Sequence, residues 1–412
     1  MCDGDTQCIG YMTEDFSNCD IIRKTDREAA GGIVGHDKEK RNYCWRRKQA
    51  SYGRVPCVHP YCVHRCIGPD AEWFAEPMEG VPDPSPLECG DYRLFPYWMS
   101  LLPELIVDCI PEKTTDLVFV IPGQRDTYVF EKSLMGAHEY FRHLREALFA
   151  LTHKRAGWES RRTLEILASG TVPLFMGMEM IPNNTMAVFP KQLLEDALRL
   201  PGIRGGRISK EFDFQQYIEV AASLLRFTKQ RLTSTYIVDY ILRTIMQPRT
   251  LSKPILYLHS EKPINQVHLC DIPVVTELRR RFGDLLMDYP GLDTTYFYNT
   301  LSDTNVPDGS QKVREPGKHF NMRTLEFMPT PKSKEHIMRM LKDKMFAFVI
   351  LAEPRRCDLT DSVFSLAMET YAGKRFLILE DEDNMPGPAG DMIKQLAKHG
   401  TFFSRELTDA CF

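Results

Sequence analysis

Residues 147–175 read ALFALTHKRAGWESRRTLEILASGTVPLF. Ala147–Thr152 is an apolar run of the length and composition of a buried strand. A loop follows that carries two cations and a glycine, Lys154–Arg155–Ala156–Gly157. The periodicity from Trp158 to Ser169 predicts a helix. Gly170 stands where a helix C-terminus favours glycine, and Val172–Phe175 predicts a second strand. Strand, loop, helix, glycine and strand in this order describe a βαβ unit with parallel strands.

The same order recurs later. Residues 346–379 read FAFVILA, EPRRCDLT, DSVFSLAMETYA, Gly373 and KRFLIL. Aligning Gly170 with Gly373 puts Glu165 opposite Met368, so only the first block keeps a carboxylate at that point. Around the first block we expect a strand at Leu117–Ile121 and helices at Glu131–Glu146, Gln192–Leu200, Phe212–Phe227 and Thr233–Met246. Around the second we expect strands at Ile255–His259, Leu285–Asp288, Phe346–Ala352 and Phe376–Glu380. Its helices are expected at Ile272–Phe282, Lys334–Lys342, Ser362–Tyr371 and Ala389–Lys398. Ser302–Lys318 reads as a polar loop. The fold class is therefore α/β: two Rossmann-like domains facing a cleft, preceded by a loop-rich Cys/His-containing N-terminal extension. The expected division is 1–90 for the extension, 91–250 for the first domain and 251–412 for the second.

Composition is that of a globular chain, with 43% hydrophobic and 26% charged residues. The net charge of −4 argues against holding nucleic acid by broad phosphate neutralisation. No apolar run approaches the ~20 residues a bilayer span needs. Met1–Asp5 is acidic and lacks an apolar core of the signal-peptide kind. These features predict a cytoplasmic protein whose 12 cysteines stay reduced.

On spacing alone, Glu159, Arg162 and Glu165 also describe an ion-pair ladder on a solvated helix. A longer stretch adds a second reading. Thr152–Lys191 resembles the donor-binding signature of exostosin-like glycosyltransferases of the two-domain GT-B type, of the kind found in large DNA viruses, algae and bacteria. The matching residues are Lys154, Ala156, Gly157, Trp158, Arg162, Glu165, Gly170 and Pro173, then Pro182, Thr185–Met186 and Phe189–Pro190–Lys191. Ile255–His259 and Asp288–Tyr289–Pro290 are similar to that group's second domain. Three positions depart from it: Glu159 replaces an Asp, Ser160 a Cys, and Thr163–Leu164 a His-Tyr pair.

The resemblance implies a nucleotide-sugar donor and a glycan or other hydroxyl acceptor. It implies donor-binding roles for Lys154, Gly157, Trp158, Glu159, Arg162, Glu165 and Gly170. Glu165 would take the ribose hydroxyls, and Arg162 with Lys154 would neutralise the diphosphate. No essential catalytic metal is expected, and Asp381–Glu382–Asp383 reads as a solvated turn. A general base for the acceptor hydroxyl would come from His259, Asp288, Glu353 or Asp361, all at expected strand ends. The alternative is a catalytically inactive GT-B-like binding protein. A methyltransferase is disfavoured, because no G-x-G-x-x-G loop follows an early strand.

Cys57, His59, Cys62, His64 and Cys66 gather five soft or borderline ligands within ten residues. Three readings stay open for them: a structural zinc site, ordinary reduced side chains in a loop-rich extension, or disulfide or redox chemistry.

Overall fold

The computed structural model describes residues 8–12, 20–23, 66–69, 71–75, 78, 82–118, 134–155, 157–204, 207–246, 251–259, 271–290, 332–357, 359–380 and 389–405. The chain divides into two compact units, Met1–Cys62 with Tyr298–Lys312, and Val63–Phe297 with Val313–Phe412. In the first unit, β1 (Cys8–Met12) pairs antiparallel with β2 (Asp20–Arg23). The remaining described elements belong to the second unit.

That unit is mixed α/β. It begins with β3 (Cys66–Ile67), α1 (Ala71–Ala75), β4 (Leu87–Cys89), β5 (Tyr92–Pro96), β6 (Ile110–Pro111) and β7 (Thr115–Val118). Then come α2 (Leu134–Glu146), β8 (Ala147–His153), α3 (Arg161–Ala168), β9 (Val172–Met176) and α4 (Lys191–Leu198). A small hairpin of β10 (Ile203–Arg204) and β11 (Arg207–Ile208) leads to α5 (Phe214–Arg231) and α6 (Ser234–Thr244). The last part holds β12 (Ile255–Leu258), α7 (Asp271–Phe282), β13 (Leu286–Tyr289), α8 (Lys334–Lys342) and β14 (Val349–Ala352). It closes with α9 (Ser362–Tyr371), β15 (Gly373–Glu380), α10 (Ala389–Ala397) and β16 (Gly400–Ser404).

Two sheets organise these elements. β7, β8 and β9 form a parallel three-stranded sheet. The larger sheet has the order β13-β12-β14-β15-β16-β5-β4, parallel except where β4 turns back on β5. Counted from β12, its first five strands run 2-1-3-4-5, the order of doubly wound sheets of the flavodoxin type. Its core strands are apolar on both faces, as sheets covered on both sides require: Ile255–Leu258 and Val349–Ala352 are wholly buried. The hairpin of β4 and β5 spans the boundary expected at residue 90 and adds to this larger sheet.

Local chemistry fixes the helix ends. Ser160, Asp213, Thr233, Ser333 and Asp361 each cap a helix N-terminus with a side-chain oxygen that accepts from a backbone N–H. α3 ends in a Schellman turn: Gly170 N donates to Leu167 O at 3.0 Å, and Thr171 N to Ile166 O at 3.2 Å.

The segment after β5 ties the two sheets together. Leu101 N donates to Leu232 O at 2.8 Å, and Ser234 N to Leu101 O at 2.7 Å. Trp98 packs on Tyr240 with ring centroids 5.1 Å apart, and Tyr240 on Phe403 at 5.9 Å. Arg281 on α7 pairs with Asp239 on α6 at 2.5 Å.

The cysteines depart from expectation. Cys66 is disulfide-bonded to Cys109, with Cα atoms 5.8 Å apart, and Cys89 is disulfide-bonded too. The bond fastens β3 beside β6, with which it pairs. The expectation of reduced thiols is therefore corrected at these three residues. Sequence spacing did not reveal it because Cys66 and Cys109 lie 43 residues apart. Non-reducing peptide mapping is expected to recover the segments around Cys66 and Cys109 as one linked species. Cys109→Ser should cost about 2–4 kcal/mol of stability. Identical melting with and without reductant would refute the bond. No helix among the described residues is long and apolar enough to cross a membrane.

Candidate functional site

The site is built where β8 hands over to α3. Ligands of open α/β sheets bind beyond the carboxyl ends of the strands, and the loop 154–160 lies there. Its shape is held from below. Thr152 and Thr163 share a hydroxyl hydrogen bond of 2.9 Å, as do Ser160 and Thr163. All three are buried. Arg155 N donates to Gly157 O at 2.9 Å, which tightens the loop.

Arg162 and Glu165, one helical turn apart on α3, come together with a third group. Tyr140 of α2 donates its hydroxyl to Glu165 Oε2 at 2.7 Å. Tyr140 and Glu165 are only 5% and 4% exposed. Glu165 Oε1 lies 3.8 Å from Arg161 Nε and has no hydrogen-bond donor among the described residues. Arg162 Nη1 is likewise buried without an acceptor among them.

Burial dominates the electrostatics. It raises the Glu165 carboxyl above its ordinary range, against the opposing pull of Arg161, Tyr140 and Arg162. It raises the Tyr140 phenol as well, with Glu165 adding to the effect. The Arg162 guanidinium is lowered by burial, and Arg155 adds to that lowering. The cluster thus sets one buried carboxylate among several cations, with donor and acceptor capacity left over.

The other residues of the expected donor set stand nearby in different roles. Trp158 is buried and stacks on Phe175, with centroids 6.5 Å apart. The Lys154 ammonium sits 4.9 Å from the Trp158 ring centroid, a cation–π arrangement on an otherwise exposed side chain. Gly157 is buried. Glu159 is buried and turned toward the segment after β5, where Met99 N donates to its Oε2 at 3.1 Å. Arg405, just past β16, donates to the Glu159 carbonyl at 3.4 Å. The end of the large sheet thereby touches the loop of the small one.

Gly170 lies at the far end of α3, about 12 Å along the helix from Arg162. Its φ of +64° and its contact with the β6 segment give it a structural task. Lys191, matched in the resemblance, closes the 182–190 loop. Its ammonium donates to Pro182 O at 3.2 Å and Asn183 O at 3.0 Å.

Of the four candidate bases, His259, Asp288 and Glu353 sit at strand ends of the large sheet, whereas Asp361, expected at one, stands at the N-cap of α9. Asp288 is buried in an ion pair with Arg279 at 3.0 Å. Asp361 caps α9 through Val363 N at 2.7 Å and pairs with Lys334 at 2.5 Å. His259 N donates to Tyr289 O at 3.1 Å, and its ring contacts the Pro290 carbonyl. Glu353 N donates to Leu379 O at 3.0 Å. It follows β14, is 6% exposed and adopts a left-handed φ of 51°. A non-glycine residue in that region is strained, and such residues cluster at functional sites.

Of the candidate zinc ligands, Cys57, His59, Cys62 and His64 lie outside the described residues. Cys66 spends its sulfur on Cys109 and offers no thiolate to a metal. Among the described residues, no group of three or more His, Cys, Asp or Glu side chains is placed to hold a metal ion.

Two contributors escaped sequence reading. Tyr140 sits in a segment with no motif. Lys113 is half-buried, and desolvation lowers its ammonium well below the usual lysine range. It donates to Arg145 O, Gly170 O and Thr171 Oγ1 at 2.9, 2.8 and 3.0 Å. These bonds bind the ends of α2 and α3 together. Comparison of the chain with protein-family models, curated proteins and solved structures gave no match.

Proposed function

We propose that the chain is a nucleotide-sugar-dependent glycosyltransferase built of two Rossmann-like halves with a cleft between them. One observation carries this reading: a buried carboxylate, Glu165, stands one turn from Arg162 just past the carboxyl end of a parallel strand. A nucleoside diphosphate needs both groups. Its ribose diol presents two hydroxyl donors to a carboxylate. Its phosphates seek guanidinium groups, which bind them with charge-assisted hydrogen bonds. The residue types between Lys154 and Gly170 resemble the donor signature of exostosin-like transferases, and the burial of Glu159 and Glu165 speaks against a solvated ion-pair ladder. In the reaction, an acceptor hydroxyl of a glycan or other carbohydrate replaces the nucleotide diphosphate on the sugar. Stabilising the departing diphosphate falls to Arg162, Arg155 and Lys154.

A second reading is a binding protein without transfer. The structural ties of Asp288 and Asp361 favour it, because two of the four candidate bases are engaged elsewhere. Consumption of UDP- or GDP-sugars by the purified chain separates the two readings. The disulfides favour an oxidising compartment over a cytoplasmic setting, since such bonds persist where thiols are not kept reduced. A zinc site in the segment 57–64 is an added proposal, tested by metal analysis.

The first test is thermal. At a hundredfold excess over Kd, UDP or GDP should add about 2.7 kcal/mol of stability. Arg162→Met should reduce that gain by more than half, because one charge-assisted contact contributes about 1.5–3 kcal/mol. A wild-type melting temperature unmoved by either nucleotide would sink the donor-binding reading.

A further inference from the structure

Resting on the nucleotide-binding reading above, we propose that Tyr140 is the positioning residue of this site, orienting the Glu165 carboxylate so that Oε1 faces the ribose diol. The two side chains approach from different helices, α2 and α3, and meet in the interior. The phenol occupies Oε2 through a 2.7 Å hydrogen bond. Oε1 is left buried, with no hydrogen-bond donor among the described residues and Arg161 Nε 3.8 Å away. That separation is beyond a hydrogen bond. An ionised carboxylate oxygen accepts two hydrogen bonds, so Oε1 alone can receive both hydroxyls of a ribose.

The phenol also governs charge. A hydrogen bond to the ionised carboxylate favours ionisation, whereas burial opposes it. The groups facing Glu165 are Tyr140 from α2 and Arg161 and Arg162 from α3. Arg155, from the loop, acts on Arg162. Removing the phenol hydroxyl leaves the two arginines to offset burial. The carboxyl then holds its proton to higher pH. A protonated carboxyl loses acceptor capacity, so nucleotide binding should fail at higher pH than in the wild type. A residue serving only as packing has no such influence, because phenylalanine fills the same space.

The experiment titrates the full chain calorimetrically with UDP, GDP, dUDP and dGDP between pH 4.5 and 8.5. In the wild type, ribonucleotides should bind more tightly than deoxyribonucleotides, and affinity should fall at the acid end. Tyr140→Phe should weaken ribonucleotide binding by about 10- to 100-fold at neutral pH, the effect of losing one hydrogen bond to a charged group. It should move the acid midpoint upward and narrow the ribose preference. Glu165→Asp withdraws the carboxylate from the phenol while leaving the ring in place. It should shift the midpoint the same way, which keeps the test open if Tyr140→Phe folds poorly. Wild-type affinity, midpoint and ribose preference in Tyr140→Phe would overturn the assignment while leaving the nucleotide reading intact. Failure of the wild type to bind UDP or GDP would overturn both.

Discussion

Glu165→Gln is expected to abolish the thermal gain from UDP or GDP and, in the ligand-free chain, to gain stability relative to wild type as pH rises. The two effects share a cause. Glu165 is buried, and burial holds its carboxyl above the ordinary 4.5. For a carboxyl raised in this way, the folded chain binds more protons than the unfolded one. Its contribution to stability is whole below the unfolded value and is lost as pH rises through the folded value. Glutamine does not titrate and escapes that loss. It keeps an oxygen for Tyr140 but has no charge to set against the surrounding arginines, and it replaces Oε1 with a donor that cannot accept ribose hydroxyls. Melting curves from pH 4.5 to 8 should therefore show the variant gaining on wild type across the range. The wild-type ligand shift should be about 5–10 °C, from about 2.7 kcal/mol at 2–4 °C per kcal/mol, and absent in the variant. A variant that keeps the shift would remove Glu165 from the nucleotide site.

The second large effect belongs to Gly170. Its φ of +64° lies in the left-handed region, which costs other residues about 1–2 kcal/mol. A Cβ there would also come within 2.8 Å of Pro111 Cδ and 3.1 Å of Val107 Cγ2. The proline ring cannot swing aside, since it is part of the backbone that pairs β6 with β3. Lys113 adds a constraint by donating to the Gly170 carbonyl. Gly170→Ala is expected to destabilise the chain by about 2–4 kcal/mol, strain and overpacking combined. Denaturant unfolding checks it; a loss below about 1 kcal/mol would mean that α3 can end differently. The glycine of the signature thus has a physical reason apart from any ligand.

Periodicity located most of the elements. The helices at 192–200, 212–227, 272–282, 334–342 and 362–371 are present within a few residues of their expected bounds. So are the strands at 147–152, 172–175, 255–259, 285–288 and 376–380. Continuous apolar runs for the buried strands and helical spacing of apolar positions for the helices leave such segments little choice. What escaped was long-range. β16 is short, and Gly400 and Thr401 open it without an apolar run. β5 carries Arg93 and Pro96 and reads as irregular until β16 is beside it. At the site, Arg162 and Glu165 were legible because their spacing places them on one face of α3. Tyr140 was not, because a tyrosine in an amphipathic helix looks like core until its hydroxyl meets a partner 25 residues away. The disulfide was hidden for the same reason, since sequence distance carries no information about which sulfurs meet.

The pairing of β5 with β16 sets a timetable for synthesis. Leu94 lies opposite Phe402 in that register, a separation of 308 residues, 402 minus 94. At about 5–20 residues per second on the ribosome, the early strand waits roughly 15–60 s for its neighbour to be made. Meanwhile the hairpin of β4 and β5 presents one unpaired backbone edge, which invites association with other nascent chains. The three-stranded sheet and its helices lie wholly within that interval and can settle first, so the segment bearing Glu165 can mature before the large sheet is complete.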